Sequence, residues 1–319
     1  PTTVENPASE LGLVLSDQVF DKDYKGTRTD LASTYTFIIK QFTDALPLLE
    51  KKSDNGYFNY YAALGLRARA YLYNGQYAEA LADAKEVIGE GGFKMLNRDN
   101  YVEAWTKEKA DETILEFMQT DKYNQQRYAP GYYCDADGYS ENAFNEEGYL
   151  YKYLVANKDK DIRAGLIKDQ SAASYKKAAG FYPNKYPGRN GNLYVNNTKL
   201  LRLSEMYLIA AEAQWHLDNS GSYDLAKTSA KAAQYINAID KNRIAGYTDK
   251  TSVTLADILH EYEIEMFCEN QITFAYWRNR QSVTNQANQE VKYNDYRTIM
   301  AIPQSEIDYN KALQQNPEY

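Results

Sequence analysis

The chain has 319 residues, 44% of them apolar, and its 36 basic against 44 acidic side chains give a net charge of −8. That length and apolar fraction suit one large folded domain with ample core. The acidic balance argues against a nucleic-acid partner, which needs clustered Lys and Arg, and there is no run of eighteen apolar residues to span a bilayer.

The first predicted element is a helix from Asp30 to Leu49. Leu31, Tyr35, Ile38, Ile39, Phe42, Leu46 and Leu49 recur three and four apart, and Asp30 stands where an N-cap is needed. Asn55-Gly56 breaks the chain. Tyr60 to Tyr73 reads as a second helix stopped by Asn74-Gly75, and Gln76 to Ile88 as a third, ended by Gly89, Gly91 and Gly92.

From Thr120 to Asn197 the periodicity fades, and glycine and proline punctuate the chain. A long irregular excursion from a helical scaffold is usually functional. Twelve of the 31 tyrosines fall here, more than even spreading would place, so the excursion is expected to use them. Tyr149, Tyr151 and Tyr153 read as rings that pin it to the scaffold. Tyr128, Tyr132, Tyr133 and Tyr139 stand among Asn124, Gln125, Gln126, Arg127 and Asp135. Flat aromatic faces beside amides and a guanidinium suit a sugar ring, whose C–H face stacks and whose hydroxyls take hydrogen bonds. The four tyrosines, with Arg127 and Asn124 on the hydroxyls, are the candidate ligand-binding residues. Packing against the scaffold is the competing role.

The most apolar stretch runs from Leu200 to Ala213, LLRLSEMYLIAAEA, and its pattern predicts a helix buried nearly all round. Arg202, Glu205 and Glu212, three and seven apart, form a charged stripe on it. Buried charge must be paired, so the stripe is expected to anchor an internal ion-pair network. A catalytic carboxylate pair is the sharper alternative and requires a cleft and shifted pKa values.

An internal repeat links this region to the second and third helices. Tyr77, Ala80 and Ala84 follow Gly75 at the offsets at which Tyr223, Ala226 and Ala230 follow Gly221. Upstream, Ala68-Arg69-Ala70 answers to Ala211-Glu212-Ala213. Small residues at these offsets let paired helices approach closely, as in tetratricopeptide-type units. Leu255 to Phe267 is a further helix. Glu261, Glu265 and Glu269 share one of its faces, expected to be solvated or arginine-paired. Trp277-Arg278-Asn279-Arg280 and a loop to Arg297 lead into short elements from Ile302 to Tyr319.

No catalytic signature is present. His216 and His260 have no second ligand at metal spacing, and the phosphate-loop, nucleophile-elbow and dinucleotide-binding patterns are missing. Cys134 and Cys268 say little about compartment. No metal or cofactor is expected, and no catalytic residue is nominated. The opening at Pro1, with neither Met nor leader, reads as a processed or trimmed chain.

Taken together, these stretches resemble the SusD/RagB family of Bacteroidota surface glycan-binding lipoproteins. Arg202, Glu205, Tyr207, Leu208, Ala211, Glu212 and Ala213 match that family's Arg-x-x-Glu-x-Tyr-Leu-x-x-Ala-Glu-Ala helix, and Ala63 to Ile88 resembles its repeat. Asp161-Ile162-Arg163, Lys185-Tyr186 and the tail AIPQSEIDYNKALQQNPEY resemble its later motifs. In its next-to-last helix Glu261, Glu265, Glu269 and Arg278 survive. Tyr262 stands for an Arg, Asn270 for a Gly, Ile272 for an Arg and Ala275 for an Asp, while Glu318 replaces the closing Gly. The resemblance also implies a lipoprotein signal and a first helix pair ahead of Pro1.

The expectation is therefore a single all-α domain over residues 1–319. Tetratricopeptide-like helix pairs at about 30–90 and 198–270 scaffold a ligand-binding excursion at about 120–197, and residues 297–319 close the chain. The resemblance implies a non-catalytic, lipid-anchored outer-membrane protein at the cell surface. Such a protein captures a glycan or oligosaccharide for a SusC-like TonB-dependent transporter. A tetratricopeptide-type protein–protein scaffold, or a peptide-binding lipoprotein, is the alternative.

Overall fold

The computed structural model describes residues 10–54, 56–172, 178–285 and 289–319, so Asn55 of the expected Asn55-Gly56 break lies outside it. Helix α1 (Leu31–Ala45) starts where Asp30 accepts a hydrogen bond from Ser33 N and continues into a 3-10 turn, Leu46–Leu48. Helix α2 (Tyr60–Tyr73) is capped by Asn59, which accepts from Ala62 N. It ends at Gly75 with φ +72, a conformation that costs glycine nothing, and α3 (Tyr77–Glu90) follows at once.

Strand β1 (Thr113–Phe117) pairs antiparallel with β4 (Thr198–Arg202), which runs straight into α6 (Leu203–Asp218). The expected helix therefore starts three residues late. Leu200, Leu201 and Arg202 are strand, held by β1, and β-branched and aliphatic neighbours on that strand outweigh helical periodicity. Between β1 and β4 lie α4 (Pro130–Tyr133), α5 (Tyr149–Ala156) and a hairpin of β2 (Ile167–Gln170) with β3 (Gly180–Pro183). The excursion is thus more regular than its sequence implied.

Strand β5 (Thr228–Ser229) leads into α7 (Ala230–Arg243), and its partner β6 (Val253–Thr254) leads into α8 (Leu255–Glu265). Thr254 and Asp257 form a reciprocal capping box there. Helix α9 (Ile272–Arg278), the pair β7 (Val283–Thr284) and β8 (Glu290–Val291), and α10 (Gln304–Tyr309) complete the chain. Ten α-helices and four two-stranded sheets among the described residues make the fold helix-rich rather than all-α.

Helix α6 is the hub, packed on α2, α3, α7 and α8. Alanines make this possible: Ala210, Ala211 and Ala213 meet a core that includes Ala62, Ala68, Ala80, Ala84 and Ala232, all fully buried. Without side-chain bulk the helices approach closely and interior packing stays dense. The sequence repeat holds only in part. Gly221 matches Gly75 with φ +69, yet Tyr223 and Ala226 precede α7 in irregular chain, whereas Tyr77 and Ala80 lie in α3. What the two tyrosines share is a partner, since both rings contact His216, Tyr77 stacked at 4.1 Å and Tyr223 edge-on at 5.6 Å.

A second apolar cluster of Leu96, Tyr101, Trp105, Leu154, Leu166, Ile264 and Phe267 joins the excursion to α8. The tail folds back on the start of the chain. Asn310 donates to Gly26 O at 2.8 Å, Tyr309 to Lys22 O at 2.7 Å, and Arg28 to Gln314 O at 2.9 Å.

Candidate functional site

The charged stripe does not serve as one unit. Arg202, as the last residue of β4, reaches Glu112 at 3.0 Å, Glu265 at 3.0 Å and Glu269 at 2.6 Å. Glu205 pairs with Arg69 at 2.6 Å, and Glu212 with Arg278 at 2.6 Å and Asn279 at 2.7 Å. Both carboxylates are thus held by guanidinium forks, which suits clamping and leaves no arrangement for acid–base work.

Around Arg202 the pairs fuse into one buried network. Arg243 bonds Glu112 at 3.0 Å and Glu265 at 3.1 Å. Arg163 bonds Asp161 at 2.8 Å, Glu265 at 3.3 Å and, closest of all, Glu261. Lys185 donates to Glu265 O and to Glu269, each at 2.6 Å. The face of Glu261, Glu265 and Glu269 is therefore buried and arginine-paired, although α8 stops at Glu265 and Glu269 lies in the turn beyond. Burial alone would raise Glu265. The guanidiniums of Arg243, Arg202 and Arg163 overcome it and hold its carboxyl well below the usual range. Burial wins instead at Glu261, which is pushed up despite Arg163. Asp161, Arg163 and Lys185 belong to the excursion, so the network fixes the excursion to the scaffold.

On that base the structure gathers an aromatic cluster at the surface. Pro130 opens α4, where its missing N–H is harmless. Gly131 lies so close to Tyr186 O that a Cβ would sit at 2.6 Å. Tyr132 and Tyr133 project from this helix, and Tyr139 N returns to Tyr132 O at 2.8 Å. The return needs Gly138, whose Cβ would be 1.9 Å from Tyr132 O. Tyr132 and Tyr139 rings meet edge to face at 4.9 Å, while Tyr133 and Tyr139 at 5.2 Å and Tyr132 and Tyr194 at 5.5 Å are tilted to each other. The exposed Arg127 guanidinium lies near the phenols of Tyr194, Tyr132 and Tyr139, which raise its pKa.

Of the nominated residues, then, Tyr132, Tyr133, Tyr139 and Arg127 come together. Tyr128 stands apart, 77% exposed and with no ring contact among the described residues. The Asn124 amide is committed to its own turn, donating to Thr120 O and Asp121 O and accepting from Gln126 N. Asp135 is buried against Lys168 at 2.6 Å. Tyr194 is the member that sequence reasoning missed. It lies 55 positions beyond Tyr139, and only the glycine-marked turn at Gly188 and Gly191 hinted that the chain doubles back. Of the three pinning tyrosines, Tyr149 stacks on His260 of α8 at 4.4 Å and Tyr153 packs into the second core. Tyr151 instead rests on Phe144 and Phe181 within the excursion. No helix among the described residues is long and apolar enough to cross a membrane, and no group of three or more metal-binding side chains occurs among them.

The chain and its fold have relatives. The SusD family model matches residues 16–319. A SusD superfamily protein from Bacteroides thetaiotaomicron has a similar structure, with TM-score 0.84 and 27% identity over 100% of this chain and 73% of that one. So does a SusD superfamily protein from Bacteroides vulgatus, with TM-score 0.84 and 26% identity over 99% and 71%. Surface glycan-binding protein A from Bacteroides uniformis shares the fold, at TM-score 0.68 and 19% identity over 92% and 71%. No curated protein matches in sequence.

Proposed function

The chain belongs to the SusD family, and from that membership we propose that it is a cell-surface glycan-binding protein without catalytic activity. The observation that carries this reading is the cluster of exposed Tyr139 with half-buried Tyr132, Tyr133 and Tyr194, and Arg127 at its edge. Rings edge-on and tilted to one another present aromatic faces at several angles, which suits a chain of sugar rings, and the guanidinium supplies donors for hydroxyls. Tyr128, next to Arg127, extends the stacking surface. We read α2–α3 and α6–α7 as tetratricopeptide-like pairs whose role is to hold this surface. The ligand is passed to a SusC-like TonB-dependent transporter in the outer membrane, to which the protein is attached by a lipid anchor.

The test is native affinity electrophoresis against a panel of plant, host and microbial polysaccharides. Retardation by at least one of them, with no reducing sugar released, is the expected result. Loss of that retardation on replacing Tyr132, Tyr139 and Tyr194 by Ala ties it to the cluster. A panel that leaves mobility unchanged throughout would remove the reading in favour of a protein-binding scaffold.

A further inference from the structure

An open cleft of about 930 Å³ lies between the segment 142–151 and the chain from Glu263 to Thr284. Its volume falls within the range of small-ligand sites. Phe144, Tyr149, Tyr151, Phe267 and Tyr276 supply rings to its lining, and Glu147 and Glu263 are the charged residues there. No Lys, Arg or His lines it among the described residues. Glu147 is 88% exposed and paired with Lys152 at 2.7 Å, so its charge is neutralised at the rim.

Glu263 is different. Elsewhere this protein pairs its withdrawn carboxylates with cations, as at Glu112, Glu205, Glu212, Glu265 and Glu269. Glu263 is half-buried yet has no ion-pair partner among the described residues. Its Oε2 accepts from the Tyr276 hydroxyl at 2.9 Å, and its Oε1 takes no donor among the described residues. Burial raises its pKa, with the Tyr276 bond and the nearby His260 opposing. The carboxylate is therefore left with one oxygen open to the cleft, where a bound donor can reach it. Aromatic faces around it attract cations, and no basic residue of the described lining offsets the carboxylate.

We propose that this cleft is a second ligand site, which takes a saccharide unit carrying a protonated amine, with Glu263 accepting from the ammonium. The inference rests on the glycan-binding reading and adds to it a selectivity that the tyrosine cluster alone does not have. An amino sugar gains a charge-assisted hydrogen bond. Its N-acetylated form loses that charge, and an acidic sugar meets a carboxylate.

The test is a titration, followed by NMR, of the methyl glycosides of glucosamine, N-acetylglucosamine and glucose, which are independent of linkage. The glucosamine form should bind about tenfold more tightly than the other two, the scale of one charge-assisted hydrogen bond. Glu263→Gln, which keeps shape and the Tyr276 bond, should abolish the preference, and Glu263→Asp should retain part of it. Equal affinity for all three glycosides, or a preference that survives Glu263→Gln, overturns the proposal. A silent polysaccharide panel with the Glu263-dependent preference intact would remove the capture reading and leave the amine site standing. Polysaccharide binding without the preference would do the reverse.

Discussion

Arg202 and Glu265 lie 3.0 Å apart although one ends a strand and the other ends a helix 63 residues later. Both are fully buried, and each holds further partners, so the contact ties β4 and α6 to α8, and through Arg163 to the excursion. Removing one member leaves its partners charged and unsolvated. Arg202→Met should therefore destabilise the fold by about 3–5 kcal/mol, read from urea unfolding midpoints. A loss under 1 kcal/mol would mean that the network is ornamental.

The same network sets a pH dependence. Glu265, Glu269 and Glu212 are each pulled up by burial and pulled down further by their arginines and other partners, so their folded pKa values lie below the ordinary 4.5. The stability they contribute is fully present above that value and is lost as pH falls through the folded values. Glu261, pushed up by burial, acts oppositely, and its contribution is lost as pH rises above 4.5. Thermal melts should show stability dropping on acidification below pH 4.5. Glu265→Gln should flatten the drop, and an unchanged slope in that variant would refute the assignment.

Gly138→Ala is a probe of the aromatic patch that touches no ring. Its Cβ would collide with Tyr132 O, so the loop must shift and Tyr139 must leave its place. The strain should cost about 1–3 kcal/mol locally. Glycan affinity should fall about tenfold, equivalent to 1.4 kcal/mol, while far-ultraviolet circular dichroism stays native. Unaltered affinity would remove Tyr139 from the binding surface.

Two departures from the family pattern offer a gain of stability. Glu318 stands where the resemblance expects glycine and has φ +69, and Asn270, at another such position, has φ +58. The backbone has kept the left-handed turn that glycine would adopt freely. Glu318→Gly should raise stability by about 1 kcal/mol, and Asn270→Gly by less because asparagine tolerates this region. Differential scanning calorimetry distinguishes these gains from the loss expected if the side chains carried the turns.

Much of the scaffold was legible because it obeys local rules. Asp30, Asn74-Gly75 and the 3.6-residue spacing in α1, α2 and α3 announce helices whatever surrounds them. Leu200 to Arg202 were misread for the opposite reason, since their strand exists only because β1 arrives from ninety residues away. The same limit governs the site. Tyr132, Tyr133 and Tyr139 are neighbours in the chain and could be grouped by eye. Tyr194 could not, and Asn124 looked available because its turn hydrogen bonds leave no mark in the sequence. The pairing of Arg163 with Glu261 and Glu265 likewise depends on a fold-back that periodicity does not encode.

The way the patch is grounded has a thermodynamic consequence. Gly131 presses on the Tyr186 carbonyl, the Tyr186 hydroxyl donates to Cys268 O at 3.0 Å, and the neighbouring Lys185 is locked between Glu265 and Glu269. Such directional bonds have a single seat, whereas a greasy contact can slide. On the proposed reading, a sugar landing on Tyr132 and Tyr139 would meet rings already in position, so little of its binding energy would go into ordering the receptor. Association on that reading would be rigid-body docking, with a rate set by encounter and orientation and not by a closing motion.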